Sequence, residues 1–142
     1  MTHGMNSETL VRGGGGTEIW TGEWGTPDGP PILLIHGFMQ SHLSWSAQLD
    51  SDLANDFRLI AIDNRGHGRS GKPEDPAAYQ DGQNWADDIA AVMDQLELDK
   101  PVLAGWSYGG LIMLDYCQRY GCGDIAGINF VAAAVRRYTD ST

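Results

Sequence analysis

The chain has little positive charge. Its 142 residues include nine Lys and Arg against 19 Asp and Glu, which gives a formal net charge of -10. Nucleic acids and anionic membrane surfaces bind proteins through clustered Lys and Arg, and the basic residues here are scattered along the chain. The sequence therefore predicts neither nucleic acid nor a membrane as a partner.

Long apolar runs and cysteines are also scarce. The sequence has no apolar run of about 18 or more residues that could span a membrane, and residues 1–10 are polar, without the pattern of a secretory signal. Only two cysteines are present, Cys117 and Cys122. Outside a disulfide framework such cysteines are usually small core residues. Together these absences predict a cytoplasmic protein.

Patterns that would hold a metal or a nucleotide cofactor are missing as well. None of the four histidines lies in a His-Glu-x-x-His pattern or in Cys/His spacing that would gather metal ligands. Gly66, Gly68 and Gly71 match the glycine pattern of dinucleotide-binding loops. That loop must open a helix at once, however, and a stretch with two prolines at 72–76 follows instead. We predict no metal and no cofactor.

The chain does contain enough apolar residues, 42%, to build the core of one domain. Short apolar runs, typical of buried strands, alternate with segments whose apolar residues recur with helical period. The predicted strands are 9–12, 17–24, 31–35, 57–62, 101–104 and 125–134, and the helical periods lie at 45–53, 83–96 and 108–120. This alternation predicts the α/β class, with a mostly parallel sheet, helices on both faces and a flexible tail at residues 1–8.

Three loops that follow predicted strands carry the most informative motifs. They are His-Gly-Phe-Met at 36–39, Asp-Asn-Arg-Gly-His-Gly-Arg-Ser at 63–70 and Gly-Trp-Ser-Tyr-Gly-Gly at 105–110. Ligands bind beyond the carboxyl ends of parallel strands, so we expect the three loops to meet at one site. In the third loop a strand-to-helix turn lifts the Ser107 hydroxyl out of the sheet, and the Tyr108 amide faces the site at a helix N-terminus.

In this order the three motifs resemble those of the α/β-hydrolase fold, and within it the branch of esterases, lactonases and cofactor-free haloperoxidases. The resemblance covers about residues 9 to 135. It implies a serine esterase mechanism, in which Ser107 attacks an acyl carbonyl and water later releases the acid from an acyl-enzyme. It also implies an oxyanion hole made by the backbone amides of Phe38 and Tyr108.

The resemblance also implies roles for other motif residues. His36 is expected to be a structural residue under the oxyanion loop, and Asp63, Arg65 and His67 are expected to form a turn held by ion pairs and hydrogen bonds. The aromatic and apolar residues of the first and third loops would surround the serine with apolar surface. That surface suits a small-molecule substrate with a small or medium apolar acyl group.

The chain departs from the family pattern after Ser107. The family places its catalytic acid and histidine after the serine, yet the last 35 residues contain no histidine. By their positions Asp115 and Asp124 point away from the site, and Asp140 lies in the terminal tail. We therefore expect residues 9–142 to be the N-terminal part of a hydrolase domain, truncated after about the sixth strand and inactive alone.

Two other functions remain open from the residues. One alternative is a noncatalytic binding protein of the same fold. The other is one half of a two-chain hydrolase, whose complementing chain carries the acid and the histidine. A histidine-bearing chain that co-purifies would separate the second case from the first. In a truncated domain the last strand, 125–134, is expected to be an uncovered apolar sheet edge.

Overall fold

A six-stranded sheet is the framework of the molecule. The structure is a computed structural model that describes residues 4–135. The strands are β1 (Ser7–Arg12), β2 (Glu18–Gly25), β3 (Pro31–Ile35), β4 (Arg58–Ile62), β5 (Val102–Trp106) and β6 (Gly127–Val131). They lie in the order β1-β2-β4-β3-β5-β6, and β2 is antiparallel to both of its neighbours while the other pairs are parallel. The predicted mostly parallel sheet and its opening hairpin are confirmed.

Several strand boundaries differ from the prediction. β5 extends two residues further, to Trp106, because Gly105 and Trp106 pair with neighbouring strands. The turn that carries the serine therefore follows the strand directly. β6 ends at Val131, because Ala132 adopts a left-handed backbone with a φ of 43° that no strand can continue. β1 begins at Ser7, within the stretch predicted as a tail, whose residues 1–3 lie outside the described part of the chain.

Two long helices pack on one face of the sheet. The α-helices are α1 (Ser46–Leu49), α2 (Leu53–Asp56), α3 (Ala77–Gln80), α4 (Gly82–Gln95) and α5 (Gly109–Tyr120). The Asp81 side chain caps α4 by accepting a hydrogen bond of 2.9 Å from the Gln83 amide. α5 ends at Tyr120, and Gly121 follows as its C-cap with a φ of 75°, a value that glycine adopts at little cost.

The helix predicted over 45–53 is wrong. The chain forms a 3-10 turn at His42–Trp45, one turn of α1 and, after a break, one turn of α2. The break lies at Ser51, whose hydroxyl donates to the Gln48 carbonyl and accepts from the Leu53 amide, so the side chain competes with the helical ladder. Leu53 is consequently 40% exposed and lies off the buried stripe.

The core has two parts because the strands are buried on both faces. On one face Leu33, Ile35, Ile60 and other alternating strand residues pack against α4 and α5, including the predicted α4 stripe. On the other face the intervening strand residues pack against the 3-10 turn and α1, and Trp45 is the largest buried side chain there. Helices on both faces of the sheet are thus confirmed.

β6 forms one edge of the sheet. Within residues 4–135, no strand pairs with its outer side, and the Phe130 side chain on this strand is 43% exposed. The predicted uncovered apolar edge is therefore present in this structure. None of the helices in the described part of the chain is long and apolar enough to cross a membrane.

The two cysteines lie near the end of α5 as free thiols. Cys117 is half-buried, and burial, with a contribution from Cys122, raises the pKa of its thiol to about 12. Cys122 is exposed, so the prediction that both cysteines are core residues is wrong for this one. The reason is that the helix ends at Tyr120 and the loop that begins at Gly121 faces solvent.

Candidate active site

Ser107 lies on a sharp turn between β5 and α5. Its φ of 53° is left-handed, a conformation that costs free energy for any residue except glycine. Hydrogen bonds hold the turn: the Ser107 carbonyl accepts from the amides of Gly110 at 3.0 Å and Ala134 at 2.8 Å. Within residues 4–135, no hydrogen bond engages the Ser107 hydroxyl. The turn thus presents a strained serine whose hydroxyl is accessible.

The glycines around Ser107 allow α5 to begin directly against the sheet. A Cβ at Gly105 would lie 2.6 Å from the Met113 side chain and 2.8 Å from the backbone of Gly109. A Cβ at Gly109 would lie 2.5 Å from the carbonyl oxygen of Ile35, in β3. Both positions therefore require glycine if the helix is to start where it does, which explains the Gly-x-Ser-x-Gly spacing in physical terms.

The loop after β3 lies directly against the serine. A Cβ built on Gly37 would be 3.0 Å from Cβ and 3.5 Å from Oγ of Ser107, so this backbone approaches the hydroxyl closely. The next residues, Phe38 and Met39, are 64% and 81% exposed, and the rings of Phe38 and Tyr108 lie 6.3 Å apart. The structure therefore brings the first and third loops together. That the amides of Phe38 and Tyr108 form an oxyanion hole stays a prediction.

His36 supports this loop from below. The side chain is fully buried, Nδ1 lies 2.6 Å from the Gly37 carbonyl oxygen and Nε2 accepts a 2.9 Å hydrogen bond from the Asn64 amide. A neutral ring with its proton on Nδ1 satisfies both contacts. Burial lowers the pKa of His36 to about 4, so the ring is neutral at physiological pH. Its predicted structural role is confirmed.

The turn at 63–70 is held by the buried carboxylate of Asp63. Its oxygens accept hydrogen bonds from the amides of His42 and Arg69 at 2.7 and 2.9 Å, and His42 Nδ1 lies 2.8 Å away. Burial alone would raise the pKa of Asp63, but these hydrogen bonds outweigh it and hold the pKa below its usual value. Sequence reasoning missed His42, because no spacing pattern joins it to Asp63.

Arg65, in the same turn, forms a buried bidentate ion pair with Asp88 on α4. Their nitrogen to oxygen distances are 2.7 and 2.8 Å, and Arg65 also donates to the carbonyls of Gly14 and Ala78. Burial raises the pKa of Asp88 despite the adjacent guanidinium. The ion pair in this turn is confirmed, although its partner was missed. The available signal was an aspartate on the apolar stripe of α4, three residues after Trp85.

His67 joins this turn to the loop after β3. Nδ1 lies 2.8 Å from the Arg65 carbonyl oxygen, and Nε2 accepts a 3.0 Å hydrogen bond from the Met39 amide. The ring also packs edge-on against Phe38, with 5.8 Å between ring centroids. All three sequence motifs therefore meet at one end of the sheet, as predicted.

A cavity of about 930 Å³ opens above the serine. Its walls are mainly aromatic and apolar, with Ser107 and His67 among the few polar groups. The lining residues are Phe38, Met39, Gln40, Gly66, His67, Gly68, Tyr79, Trp85, Ser107, Tyr108 and Ala134. Such a cavity has the size and lining of a small-molecule site.

No described histidine is available as a base for Ser107. Both ring nitrogens of His36 and of His67 are engaged with main-chain groups, and His42 is absent from the cavity wall. None of the three aspartates after Ser107 is placed at the cavity in the described part of the chain. Asp115 pairs with Arg119 along α5, Asp124 lines a separate cavity beside Tyr116, and Asp140 lies outside the described residues.

The glycines of the second loop serve the turn. Gly66 and Gly68 have φ values of 78° and 50°, and the next α-helix begins only at Ala77, so this loop does not open directly into a helix as a dinucleotide-binding loop would. Among residues 4–135, no group of three or more His, Cys, Asp or Glu side chains could hold a metal ion.

Comparison with known proteins identifies the family. A family model of the alpha/beta hydrolase fold matches residues 30–137. The chain belongs to the alpha/beta hydrolase fold family. Hydrolase-fold relatives include a bifunctional esterase/perhydrolase of Acinetobacter calcoaceticus and a non-heme chloroperoxidase of Streptomyces lividans. Each is 36% identical over 83% of this chain and 42% of its own length.

A solved hydrolase-fold structure superimposes closely on the chain. The esterase RhEst1 from Rhodococcus sp. ECU1013 has a TM-score of 0.82 and 40% sequence identity, covering 95% of this chain and 47% of its own. The chain therefore spans less than half the length of the relatives it matches here. The relatives support the resemblance drawn from the three motifs.

Proposed function

We propose that this protein is a serine hydrolase of carboxylic esters. Ser107 attacks the acyl carbonyl, the alcohol leaves, and water then cleaves the acyl-enzyme to release the acid. The observation that carries the proposal is the setting of Ser107. Its backbone is left-handed at the end of a strand, and its hydroxyl is accessible at an apolar cavity. Its relatives include proteins named as esterases, which supports the same reaction.

In this proposal the negative charge that develops on the carbonyl oxygen is stabilised by two backbone amides. The Tyr108 amide belongs to the residue that caps the N-terminus of α5, and Phe38 follows the glycine that lies against Ser107. Preorganised amides of this kind stabilise an oxyanion without rearrangement during the reaction.

The cavity walls suggest the class of substrate. Tyr79, Trp85, Tyr108 and Phe38 line much of the cavity, and the rings of Trp85 and Tyr108 meet edge to face with 5.6 Å between centroids. Aromatic walls bind apolar groups through burial and through edge contacts with other rings. We propose a small ester with an apolar or aromatic group as substrate.

The base and the acid complete the proposal from outside the described residues. The nitrogens of the histidines nearest Ser107 are already engaged, so a further segment or a complementing chain supplies the histidine and its carboxylate. Without such a base, the rate of a serine hydrolase falls by about 10⁶. The two free thiols agree with the cytoplasmic location that forms part of the proposal.

The test is hydrolysis of p-nitrophenyl butyrate with and without free imidazole as an external base. Without imidazole we expect the chain and its Ser107→Ala variant to give equal rates. With imidazole we expect the chain to exceed Ser107→Ala, because the small base can enter the open cavity. Ser7→Ala, which removes an exposed serine on β1 outside the cavity, is the matched control and should behave like the unchanged chain.

Two results would contradict the proposal. Equal rates for the chain and Ser107→Ala in imidazole would show that Ser107 is not the nucleophile. A Ser107-dependent rate without imidazole would mean that a residue of this chain acts as the base. That would contradict the finding that the ring nitrogens of His36 and His67 are already engaged.

A further inference from the structure

The loop that carries Phe38 has little packing of its own. Phe38 and Met39 are mostly exposed, and Met39 has a left-handed φ of 60°, which a residue with a side chain keeps only where its surroundings hold it. Two imidazoles hold the main chain of this loop. His36 binds the Gly37 carbonyl, and His67 Nε2 accepts the hydrogen bond of the Met39 amide at 3.0 Å.

The protonation of His67 follows from its two contacts. A carbonyl oxygen only accepts, so Nδ1 must carry the proton toward the Arg65 carbonyl, 2.8 Å away. An amide only donates, so Nε2 must be unprotonated toward Met39. Both conditions hold only for the neutral ring with its proton on Nδ1. In this form no lone pair is left to take a proton from Ser107.

The residue that orients His67 is firmly fixed. The Arg65 side chain is 1% exposed and is held by Asp88 through two hydrogen bonds, with further bonds to the carbonyls of Gly14 and Ala78. The carbonyl that binds His67 Nδ1 therefore belongs to a residue whose side chain is anchored at four hydrogen bonds. Through its two hydrogen bonds, His67 links the Arg65 backbone to the Met39 amide in the cavity wall.

We propose that His67 is a positioning residue for the oxyanion loop. It holds the Met39 amide, and thereby the strained backbone after Gly37, so that the Phe38 amide faces the acyl group on Ser107. The proposal rests on the proposed function, because the direction of the Phe38 amide matters only if Ser107 reacts with an acyl carbonyl. His67 itself exchanges no proton with the substrate.

Removing the hydrogen-bond acceptor of His67, while an aromatic ring is kept at this position, should loosen the loop. His67→Phe keeps an aromatic ring beside Phe38 but cannot accept from Met39, whereas His67→Gln offers a carbonyl oxygen as acceptor at the tip of its side chain. An oxyanion donor that is misplaced lowers transition-state stabilisation. We therefore expect kcat to fall roughly 10- to 100-fold in His67→Phe, with KM nearly unchanged.

The experiment joins two readouts on the same variants. Hydrogen exchange of the Met39 amide, followed by NMR, reports the hydrogen bond directly. The values of kcat and KM for p-nitrophenyl butyrate, in the assay with free imidazole, report its consequence. Leu43→Ala, which truncates an exposed side chain outside the cavity wall, is the matched control and should change neither readout.

We expect fast Met39 exchange and a low kcat in His67→Phe, and recovery of both in His67→Gln. Unchanged Met39 exchange in His67→Phe would overturn the proposal, as would a His67→Gln variant that regains slow exchange but not kcat, since the ring would then act in proton transfer. If the unchanged chain shows no Ser107-dependent rate, the proposed function has failed. Met39 exchange in the variants then still decides whether His67 holds the loop.

Discussion

At the scale of single residues, the site depends on how closely two backbones approach. Gly37 has no side chain, and a Cβ there would lie only 3.0 Å from Cβ of Ser107. A contact this short would displace the serine or the loop that faces it. Because Gly37 lacks a side chain, the oxyanion loop can lie close to the Ser107 hydroxyl.

Gly37→Ala should therefore impair the reaction at Ser107. We expect the imidazole-dependent rate on p-nitrophenyl butyrate to fall roughly 10-fold or more, because a small displacement of a nucleophile is costly in rate. Gly123→Ala is the matched control, since a Cβ at Gly123 meets no atom within 4 Å. A Gly37→Ala variant as fast as Gly123→Ala would show that the loop does not approach the serine in solution.

His36 should make the stability of the chain depend on pH. Burial lowers its pKa to about 4 from its ordinary value of 6.5, so between these two values the unfolded state binds a proton that the folded state does not. Stability is thus highest above about pH 6.5 and falls as the pH drops toward about 4. The loss from this one group is roughly 3 kcal/mol, at 1.36 kcal/mol per pKa unit.

Urea unfolding at several pH values in this range measures the effect. The His36→Asn variant removes the titration, so its stability should fall less steeply with acid than that of the unchanged chain, whatever its absolute stability. Carboxylates titrate in both proteins and cancel in the comparison. Parallel pH profiles for the two proteins would mean that His36 is not buried in neutral form.

Single residues also show what the sequence could predict about the site. Ser107 and the loop of Phe38 were identified because their chemistry depends on local spacing, which is visible in the chain. His42 was not, because its partner Asp63 lies 21 residues away and only the folded sheet brings them together. Contacts between loops of different strands carry no local pattern.

At the scale of elements, one buried ion pair joins three parts of the fold. Arg65 in the turn after β4 binds Asp88 on α4, and both also bind Gly14 in the hairpin connection. The glycine at this position is needed because a Cβ would lie 2.8 Å from the Asn84 carbonyl oxygen. The turn, the hairpin and α4 are thereby fixed to one another beneath the cavity.

Breaking this pair from one side should be strongly destabilising. Arg65→Met leaves the Asp88 carboxylate buried without its partner, and removing one member of a buried pair costs about 3 to 5 kcal/mol. Arg119→Met breaks the more exposed Arg119–Asp115 pair on α5 and should cost about 0.5 kcal/mol or less. Urea unfolding of both variants checks the difference, and equal costs would contradict a buried pair.

Elements also differ in how well their sequence predicts them. The apolar stripe on α4 was predicted because a helical period of apolar residues is a strong local signal. The stretch 45–53 has the spacing of a helix, yet the hydroxyl of Ser51 binds the backbone and breaks it. Periodicity cannot register this competition, since it counts apolar residues and ignores polar side chains that bind the main chain.

At the scale of the whole molecule, the sheet assembles a nucleophile and its surroundings from loops far apart in sequence. The loops after β3, β4 and β5 meet at one end of the sheet because those strands are parallel. The strained serine, the close glycine and the cavity wall come from different loops. The proposed base comes from none of the described residues.

The most direct test of the nucleophile is to find where a serine-directed reagent binds covalently. An alkyl fluorophosphonate reacts with an activated serine: the oxygen–phosphorus bond forms, fluoride leaves, and free imidazole takes the proton. After incubation with imidazole, mass spectrometry of the intact chain and of its peptides locates the phosphonyl group. We expect a single phosphonyl group on Ser107 and none on the Ser107→Ala variant. A phosphonyl group on another residue, or equal modification of Ser107→Ala, would contradict the assignment of Ser107 as the nucleophile.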